Sequence, residues 1–361
     1  MLRVLELFAG IGACSKALER LGIEHEIVDA VEIDKYAIAS FNAVHGTNFE
    51  PQDITKWDKD LQVDLIMHGS PCQDFSVAGK GAGGDEGSGT RSSLLYETLR
   101  IVEKLRPKYV IWENVKNLLS KKHVHNWNAY AERMEEMGYT NYCKVLNAKD
   151  YGVPQNRERV FTVSILGGNA FSFPPRRPLT KRLKDVLEPE VDEKYYISSA
   201  MMDYFMGVNQ KPSKFPRRER FLANINRKDQ NRANSITTNP GQRPTDNFVR
   251  IKTANAKGYD LATDGDGVDL AYPDSTTRRG RVGHGVAKTL PTSDSQGVLD
   301  GYRIRKLTPK ECWRLMGFDD VDFEKAQKVN SNTQLYKQAG NSIVVNVLEA
   351  ILKELLDGST D

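Results

Sequence analysis

The sequence predicts an α/β fold: a mostly parallel sheet covered by helices on both faces, interrupted by a smaller, mostly β domain. Three observations predict it. Strand-like and helix-like segments alternate through residues 1–165. Residues 171–300 lose that alternation and are rich in Pro, Gly, Asn, Asp and Thr. Helical periodicity then returns and runs to the end of the chain.

The first strand is Val4–Phe8, broken by Gly10-Ile11-Gly12. Ala13–Leu21 follows as a helix with Ala17, Leu18 and Leu21 on one face and Gly22 as its stop. Ile27–Val31 is the second strand and ends at Glu32; Asp64–His68 is the third and runs into Gly69-Ser70-Pro71-Cys72. The glycines between Gly79 and Gly89 are too dense to pack as an element. Ser92–Leu105 reads as a helix, Tyr109–Trp112 as a buried strand ending at Glu113, and Trp127–Met137 as a helix stopped by Gly138. Tyr142–Leu146 and Val160–Ile165 are strands.

Within 171–300 only short β-like pieces such as Phe248–Ile251 stand out, and no helix beyond about three turns is expected. Thr308-Pro309-Lys310-Glu311 is a capping box with proline at the first helical position, opening a helix to Met316. Ile343–Leu356 reads as an amphipathic C-terminal helix. The expected domains are therefore 1–170 with 302–361, and 171–301 as the insertion.

The 361 residues suit one large and one smaller domain, and 39% hydrophobic content excludes a wholly disordered chain. Net charge is only +3, but its distribution is uneven. Residues 171–300 carry 22 Lys and Arg against 16 Asp and Glu, whereas the remainder carries 29 against 32. The excess is densest from Lys211 to Arg232, where Phe215 and Phe221 lie among the arginines. Such a run is either a solvated face or a phosphate-contacting one. The four cysteines form no C-x-x-C pair and no histidine sits at zinc spacing, so neither a metal site nor a disulfide framework is expected. No secretory leader or apolar span is read, and a reducing cytoplasm is the expected compartment.

Phe8-Ala9-Gly10-Ile11-Gly12 joins a strand to a helix, where glycine lets a ligand approach the backbone. Glu32, twenty residues beyond Gly12, is placed to accept from ribose hydroxyls. Ser15 occupies the third glycine position of a dinucleotide fingerprint, which favours a nucleoside ligand over a pyrophosphate. Asp53 is a second carboxylate for the ligand, with a turn cap as its ordinary alternative. Cys72 falls outside the C-terminal end of a strand, where ligands bind in such sheets, beside a glycine-rich loop. Cys14, Cys143 and Cys312 lie inside helix or strand patterns and read as buried structural thiols. Glu113 ends an apolar strand, so desolvation should push its pKa up and let it hold a proton. A helix-capping or salt-bridged carboxylate is the alternative.

Six motifs together resemble the DNA (cytosine-5) methyltransferase family, bacterial or phage type, over nearly the whole chain. They are Phe8–Gly12, Ser70-Pro71-Cys72-Gln73, Glu113-Asn114-Val115, Gln155–Arg159, Arg305–Pro309 with Glu311 and Met316–Phe318, and Gln338-Ala339-Gly340-Asn341-Ser342. The resemblance implies a Rossmann-like sheet binding S-adenosylmethionine, with residues 171–301 as a target-recognition domain for double-stranded DNA. It implies that Cys72 attacks C6 of a flipped-out cytosine. Glu113 would bond N3 and the exocyclic amine, Arg159 would contact O2, and Arg157 would support the same site. It assigns cofactor contacts to Phe8, Gly10, Gly12, Glu32, Asp53, Pro71, Leu94, Asn341 and Ser342. It assigns DNA contacts to Gln73, Ser76, Arg217, Arg218, Arg220 and the pair Thr289-Leu290, and makes Gly79–Gly89 a loop closing on DNA. A monomer, with a restriction endonuclease acting separately as its partner, fits the family. The alternatives are a tRNA cytosine-5 methyltransferase, a DNA-binding module without catalysis, and a nucleotide-cofactor dehydrogenase. The long basic insertion argues against the first, Cys72, Glu113 and Arg159 against the second, and Ser15 against the third.

Overall fold

The computed structural model describes residues 1–71, 94–168, 170–205, 249–301 and 303–357. They form two compact units. The first comprises residues 1–153, 157–180 and 313–361; the second comprises 154–156 and 181–312.

A six-stranded sheet in the order β2-β1-β3-β4-β7-β5 is the frame of the first unit. β1 (Leu2–Leu7), β2 (His25–Val31), β3 (Leu65–His68) and β4 (Tyr109–Val115) are mutually parallel. β7 (Glu158–Leu166) runs antiparallel between β4 and β5 (Tyr139–Asn147). Every residue of β3, and Tyr109–Asn114 of β4, is buried, as continuous apolar runs in a two-sided sheet require. Leu5, Leu7, Ile66, Val110 and Trp112 meet Leu99, Ile101 and Val102 of helix α3 (Leu95–Leu105) in the main core.

Helix α1 (Ala13–Arg20) buries Cys14, Ala17 and Leu18 completely. Helix α2 (Lys35–His45) was not expected from the sequence. Asp34 caps it by accepting from Tyr36 N, Gly46 closes it at φ 69°, and Ala37, Ile38, Phe41 and Val44 form its buried stripe. Helix α4 (Val124–Glu136) precedes β5. Near the C-terminus the helices Asp320–Gln327, Asn332–Asn341 and Val345–Asp357 follow in succession, only the last of them expected.

In the second unit, β11 (Val282–Gly283), β10 (Gly267–Asp269), β13 (Gln296–Asp300) and β14 (Arg303–Lys306) form an antiparallel sheet. β8 (Val249–Lys252) pairs with β9 (Tyr259–Ala262), and β6 (Gln155–Asn156) with β12 (Ala287–Lys288). Val249, Ile251, Val268, Leu299 and Ile304 make its core with Phe205 of helix α5 (Ser199–Phe205).

The expected boundaries at 171 and 302 are corrected. Leu299 pairs with Ile304, so Arg303–Lys306 continue the second unit's sheet, and that unit runs on to Cys312. Pro174 O accepts from Tyr151 Oη, which keeps residues 171–180 with the first. The expected capping box forms: Thr308 N donates to Glu311 Oε2 and Glu311 N to Thr308 Oγ1. Its carboxylate also takes a bidentate hydrogen bond from the fully buried Arg305 guanidinium, 2.8 Å on each arm.

Candidate active site

The turn after β1 is held in left-handed backbone. Phe8 has φ 53°, Gly10 φ 56° and Gly12 φ 80°. At Phe8 that conformation costs about 1 kcal/mol or more, a strain that marks many functional loops. Glu32 fastens the turn to β2: Oε2 accepts from Gly10 N at 3.0 Å and Oε1 from Asp34 N at 2.9 Å. Burial pushes the Glu32 carboxyl up from the usual range, and the Asp34 and Gly10 amides oppose it.

A cleft of about 510 Å³ opens over these strand ends, within the size range of small-molecule sites. Its lining includes Phe8, Gly10, Glu32, Asp53, Pro71 and Leu94 from the expected cofactor set. Asn341 and the reactive-type residues Glu113, Arg157 and Arg159 share it. Asp53 combines both of its readings, since Oδ1 caps the turn at Ile54–Lys56 by accepting from Thr55 N while the residue lines the cleft. Two expected contacts are placed otherwise. Gly12 is absent from the cleft wall; a Cβ there would lie 2.1 Å from His45 Nε2, so its role is close packing under the turn. Ser342 lines a small adjoining cavity of about 50 Å³ that shares Phe8, Gly10, Gly69, Glu113 and Asn341 with the cleft wall.

Sequence reasoning missed several residues. Ile33, on the cleft wall, is 71% exposed and offers the cleft an apolar side chain. Lys337 and Gln338 also line the cleft, from a helix the sequence reading did not find. Glu6 is buried within β1, with Oε1 accepting from Ser15 N at 3.0 Å and from Ser15 Oγ. Burial pushes it up to about 7. A charged residue inside the apolar run Val4–Phe8 was the available signal for it.

Glu113 lies at the end of β4, nearly buried, with Arg159 Nε 3.0 Å from its Oε1. That contact is an ion pair lacking hydrogen-bond alignment, and Oε1 has no hydrogen-bond partner among the described residues. Burial pushes the Glu113 pKa up; the charges of Arg159 and Arg157 pull against it without cancelling it. The result is a carboxyl group at a cleft wall that holds a proton to higher pH than a solvated glutamate does.

Arg157 lines the same cleft and reaches the chain's last segment. Its Nη2 donates to Gly340 O at 3.0 Å and Ser342 O at 2.9 Å. It thereby pins the end of Asn332–Asn341, and with it Asn341, beside the sheet.

Cys72, Gln73, Ser76, the Gly79–Gly89 loop, Arg217, Arg218 and Arg220 lie outside the described residues. The sequence brings Cys72 directly after Pro71, which lines the cleft. In the second unit Thr289 is exposed, with Oγ1 donating to Asn156 O at 2.8 Å. Leu290 is corrected as a surface contact: it is buried, its N donates to Gln155 Oε1 at 3.2 Å, and its side chain packs inward. Among the described residues no group of three or more His, Cys, Asp or Glu is arranged to hold a metal ion. No described helix is long and apolar enough to cross a membrane.

Comparison with known proteins adds a family. The model of C-5 cytosine-specific DNA methylases matches residues 2–357. The orphan methyltransferase M.SPRI of Bacillus phage SPR is 34% identical over 98% of this chain and 97% of its own length. The type II methyltransferase M2.ScrFI of Lactococcus lactis subsp. cremoris is 35% identical, covering 98% of this chain and 99% of its own. Among solved structures, a putative DNA modification methyltransferase encoded within an Escherichia coli prophage superposes with a TM-score of 0.62 at 20% identity, over 100% of both chains.

Proposed function

Because the chain belongs to the C-5 cytosine-specific DNA methylase family, we propose that it transfers a methyl group from S-adenosylmethionine to C5 of a flipped-out cytosine within one short duplex DNA sequence, through a transient Cys72–C6 bond. The observation that carries this reading is the protonation-prone carboxyl of Glu113, beside Arg159 on the wall of the cleft that Pro71 also lines.

Cytosine C5 is a poor nucleophile. Attack of the Cys72 thiolate on C6 makes C5 enamine-like, and a positioned acid at N3 takes up the electron density that the attack pushes into the ring. Glu113 is the residue of this cleft suited to that work, because burial raises its affinity for a proton and it stands beside Arg159. Arg159 offers the guanidinium needed at the base's O2. Once C5 carries the methyl, loss of the C5 proton and expulsion of the Cys72 thiolate restore the aromatic ring. A base inside a duplex is out of reach of such a cleft, so the target must leave the stack.

The cleft residues fit the methyl donor. Glu32 retains acceptor capacity for ribose hydroxyls after bonding Gly10 and Asp34. Exposed Ile33 gives an apolar surface for a base, and Asp53, Pro71, Leu94 and Asn341 complete the walls. When bound, S-adenosylmethionine supplies an electrophilic methyl. The second unit, with Thr289 exposed and the basic segment around Arg217, Arg218 and Arg220, is assigned to DNA recognition, and Gln73 and Ser76 to DNA contact near the target base. The type II name of one relative agrees with an enzyme paired with a separately acting restriction endonuclease, and the orphan name of another with one that works without it; the proposed working form is a monomer. The phage and type II names of the relatives do not favour a tRNA substrate.

Bisulfite sequencing of DNA from cells expressing the chain tests this reading. Protected cytosines should fall in one short motif and vanish in a Cys72→Ser variant. Protection that persists in the variant rules the covalent route out.

A further inference from the structure

The polar groups packed under the chain that leads into Cys72 have no part in the chemistry above. His68 and Trp112 are lateral partners in the parallel β3–β4 register, so their side chains leave the sheet on the same face. Their rings stack, with centroids 5.7 Å apart and planes 7° from parallel. Trp112 Nε1 donates a 2.9 Å hydrogen bond to Ser70 Oγ, buried from solvent. Asn114, two residues along β4 and therefore on that same face, lies with Nδ2 3.4 Å from Ser70 O. One strand thus holds both oxygens of Ser70 while the intervening residue, Glu113, faces the cleft.

His68 is fully buried, and neither ring nitrogen has a partner among the described residues. Burial keeps the imidazole neutral, with its pKa pushed down to about 3. A neutral ring can lie flat on the indole without placing a charge in the core. Tyr130 packs against both rings, its centroid 4.5 Å from the indole and 6.1 Å from the imidazole. The three rings thus form one buried cluster, from which the indole N–H reaches Ser70.

Pro71 has no N–H and a fixed φ, so it transmits the placement of Ser70 to the next residue without adding an anchor. Misplacing a reacting atom by about 1 Å can cost roughly 100-fold in rate. We propose that Ser70 and Trp112, with His68 stacked on the indole, are positioning residues that set where Cys72 meets the ring relative to Glu113. The proposal rests on Cys72 being the nucleophile.

The test uses the full chain with S-adenosylmethionine and a duplex carrying 5-fluorocytosine, which stalls at the covalent adduct because fluorine replaces the departing proton. The rate of adduct formation is followed in a single turnover, and cofactor affinity is measured separately by calorimetry. Ser70→Ala and Trp112→Phe should each slow adduct formation about 10-fold or more, with cofactor affinity changed by less than about twofold. The double variant should be no slower than the slower single, because both remove the same bond. Ser70→Thr, which keeps the hydroxyl, should recover most of the rate. Full-rate trapping by Ser70→Ala, or losses that multiply in the double variant, overturns the proposal. Should Trp112→Phe fail to fold, the contrast between Ser70→Ala and Ser70→Thr decides alone. Adduct formation by a Cys72→Ala chain overturns instead the assignment of the nucleophile, whatever the Ser70 variants do.

Discussion

Arg159 Nε stands 3.0 Å from Glu113 Oε1, and the sheet register explains why. Across antiparallel β4 and β7, Val115 pairs with Arg159 and Glu113 with Phe161. Glu113 and Val115 share a face of β4, so Arg159 is the diagonal cross-strand neighbour of Glu113, within reach of a long side chain. The two residues lie 46 positions apart in sequence, yet strand pairing alone brings them together.

That pairing gives the site a defined response to pH. If Glu113 gives a proton to the ring as proposed, methylation should fall as pH rises through its elevated pKa. Arg159 lowers that pKa, so Arg159→Ala should move the alkaline limb of the kcat/KM profile to higher pH while reducing its plateau. Glu113→Gln, which has no carboxyl proton to give, should lose about 100-fold or more in kcat and show no such limb. A Glu113→Gln enzyme with unchanged kcat would remove Glu113 from the chemistry.

Glu32 should separate binding from chemistry. It reaches the reacting base through nothing visible in the structure, but it ties Gly10 to the strand end and faces the cleft. Glu32→Ala should weaken S-adenosylmethionine binding about 10- to 100-fold, as expected when hydrogen bonds to a charged group are lost. At saturating cofactor kcat should stay within a few-fold of the parent. Calorimetry and steady-state kinetics check both halves. A collapse of kcat with unchanged affinity would contradict the assignment.

The two glycines of the turn should respond differently to alanine. Both have positive φ and therefore share a strain of roughly 1 kcal/mol. At Gly10 the nearest atom to an added Cβ is Phe8 O at 4.0 Å, whereas at Gly12 His45 Nε2 would lie 2.1 Å away and Phe41 Cε2 2.9 Å away. Gly12→Ala should accordingly cost several kcal/mol and lower Tm well below that of Gly10→Ala. Gly10→Ala should be felt mainly in cofactor affinity. Thermal melts of the two variants without ligand, compared side by side, measure the difference.

The strands and the reactive-type residues at their ends were legible because short apolar runs bounded by glycine, proline or a carboxylate have few other readings. Strand order was not. Nothing local to Val160–Ile165 announces that β7 inserts antiparallel between β4 and β5. Helix α2 was present in the sequence as Asp34, the stripe Ala37, Ile38, Phe41 and Val44, and Gly46, but an adjoining acidic strand end drew the reading to Glu32. Arg157 is expected to support the site of the reacting base, and the sequence does not reveal that its Nη2 reaches Gly340 O and Ser342 O. Main-chain carbonyls more than 180 residues away carry no signature in the side chains of either segment. Ile33 was passed over because an exposed apolar residue has meaning only once the cleft beneath it is known.

The last prediction concerns Glu6 and stability. The group is buried, and its pKa is raised from 4.5 to about 7 mainly by desolvation, with the Ser15 hydroxyl and amide opposing. Because the folded value exceeds the unfolded one, the stability linked to this proton is complete below pH 4.5 and declines as pH climbs towards 7. Above that it is gone, a loss of about 3 kcal/mol for a shift of this size at 1.36 kcal/mol per unit. A glutamine has no proton to lose, and its carbonyl oxygen can still accept from Ser15 N, which lies 3.0 Å from Glu6 Oε1. Glu6→Gln should therefore match the parent near pH 4.5 and exceed it increasingly up to pH 7, with the gap constant beyond. Denaturant titrations across that range give the difference curve directly. Parallel curves for the two proteins, or a variant less stable at pH 8, would mean that Glu6 is ionised in the folded chain at no cost and that its hydrogen bonds from Ser15 outweigh its burial.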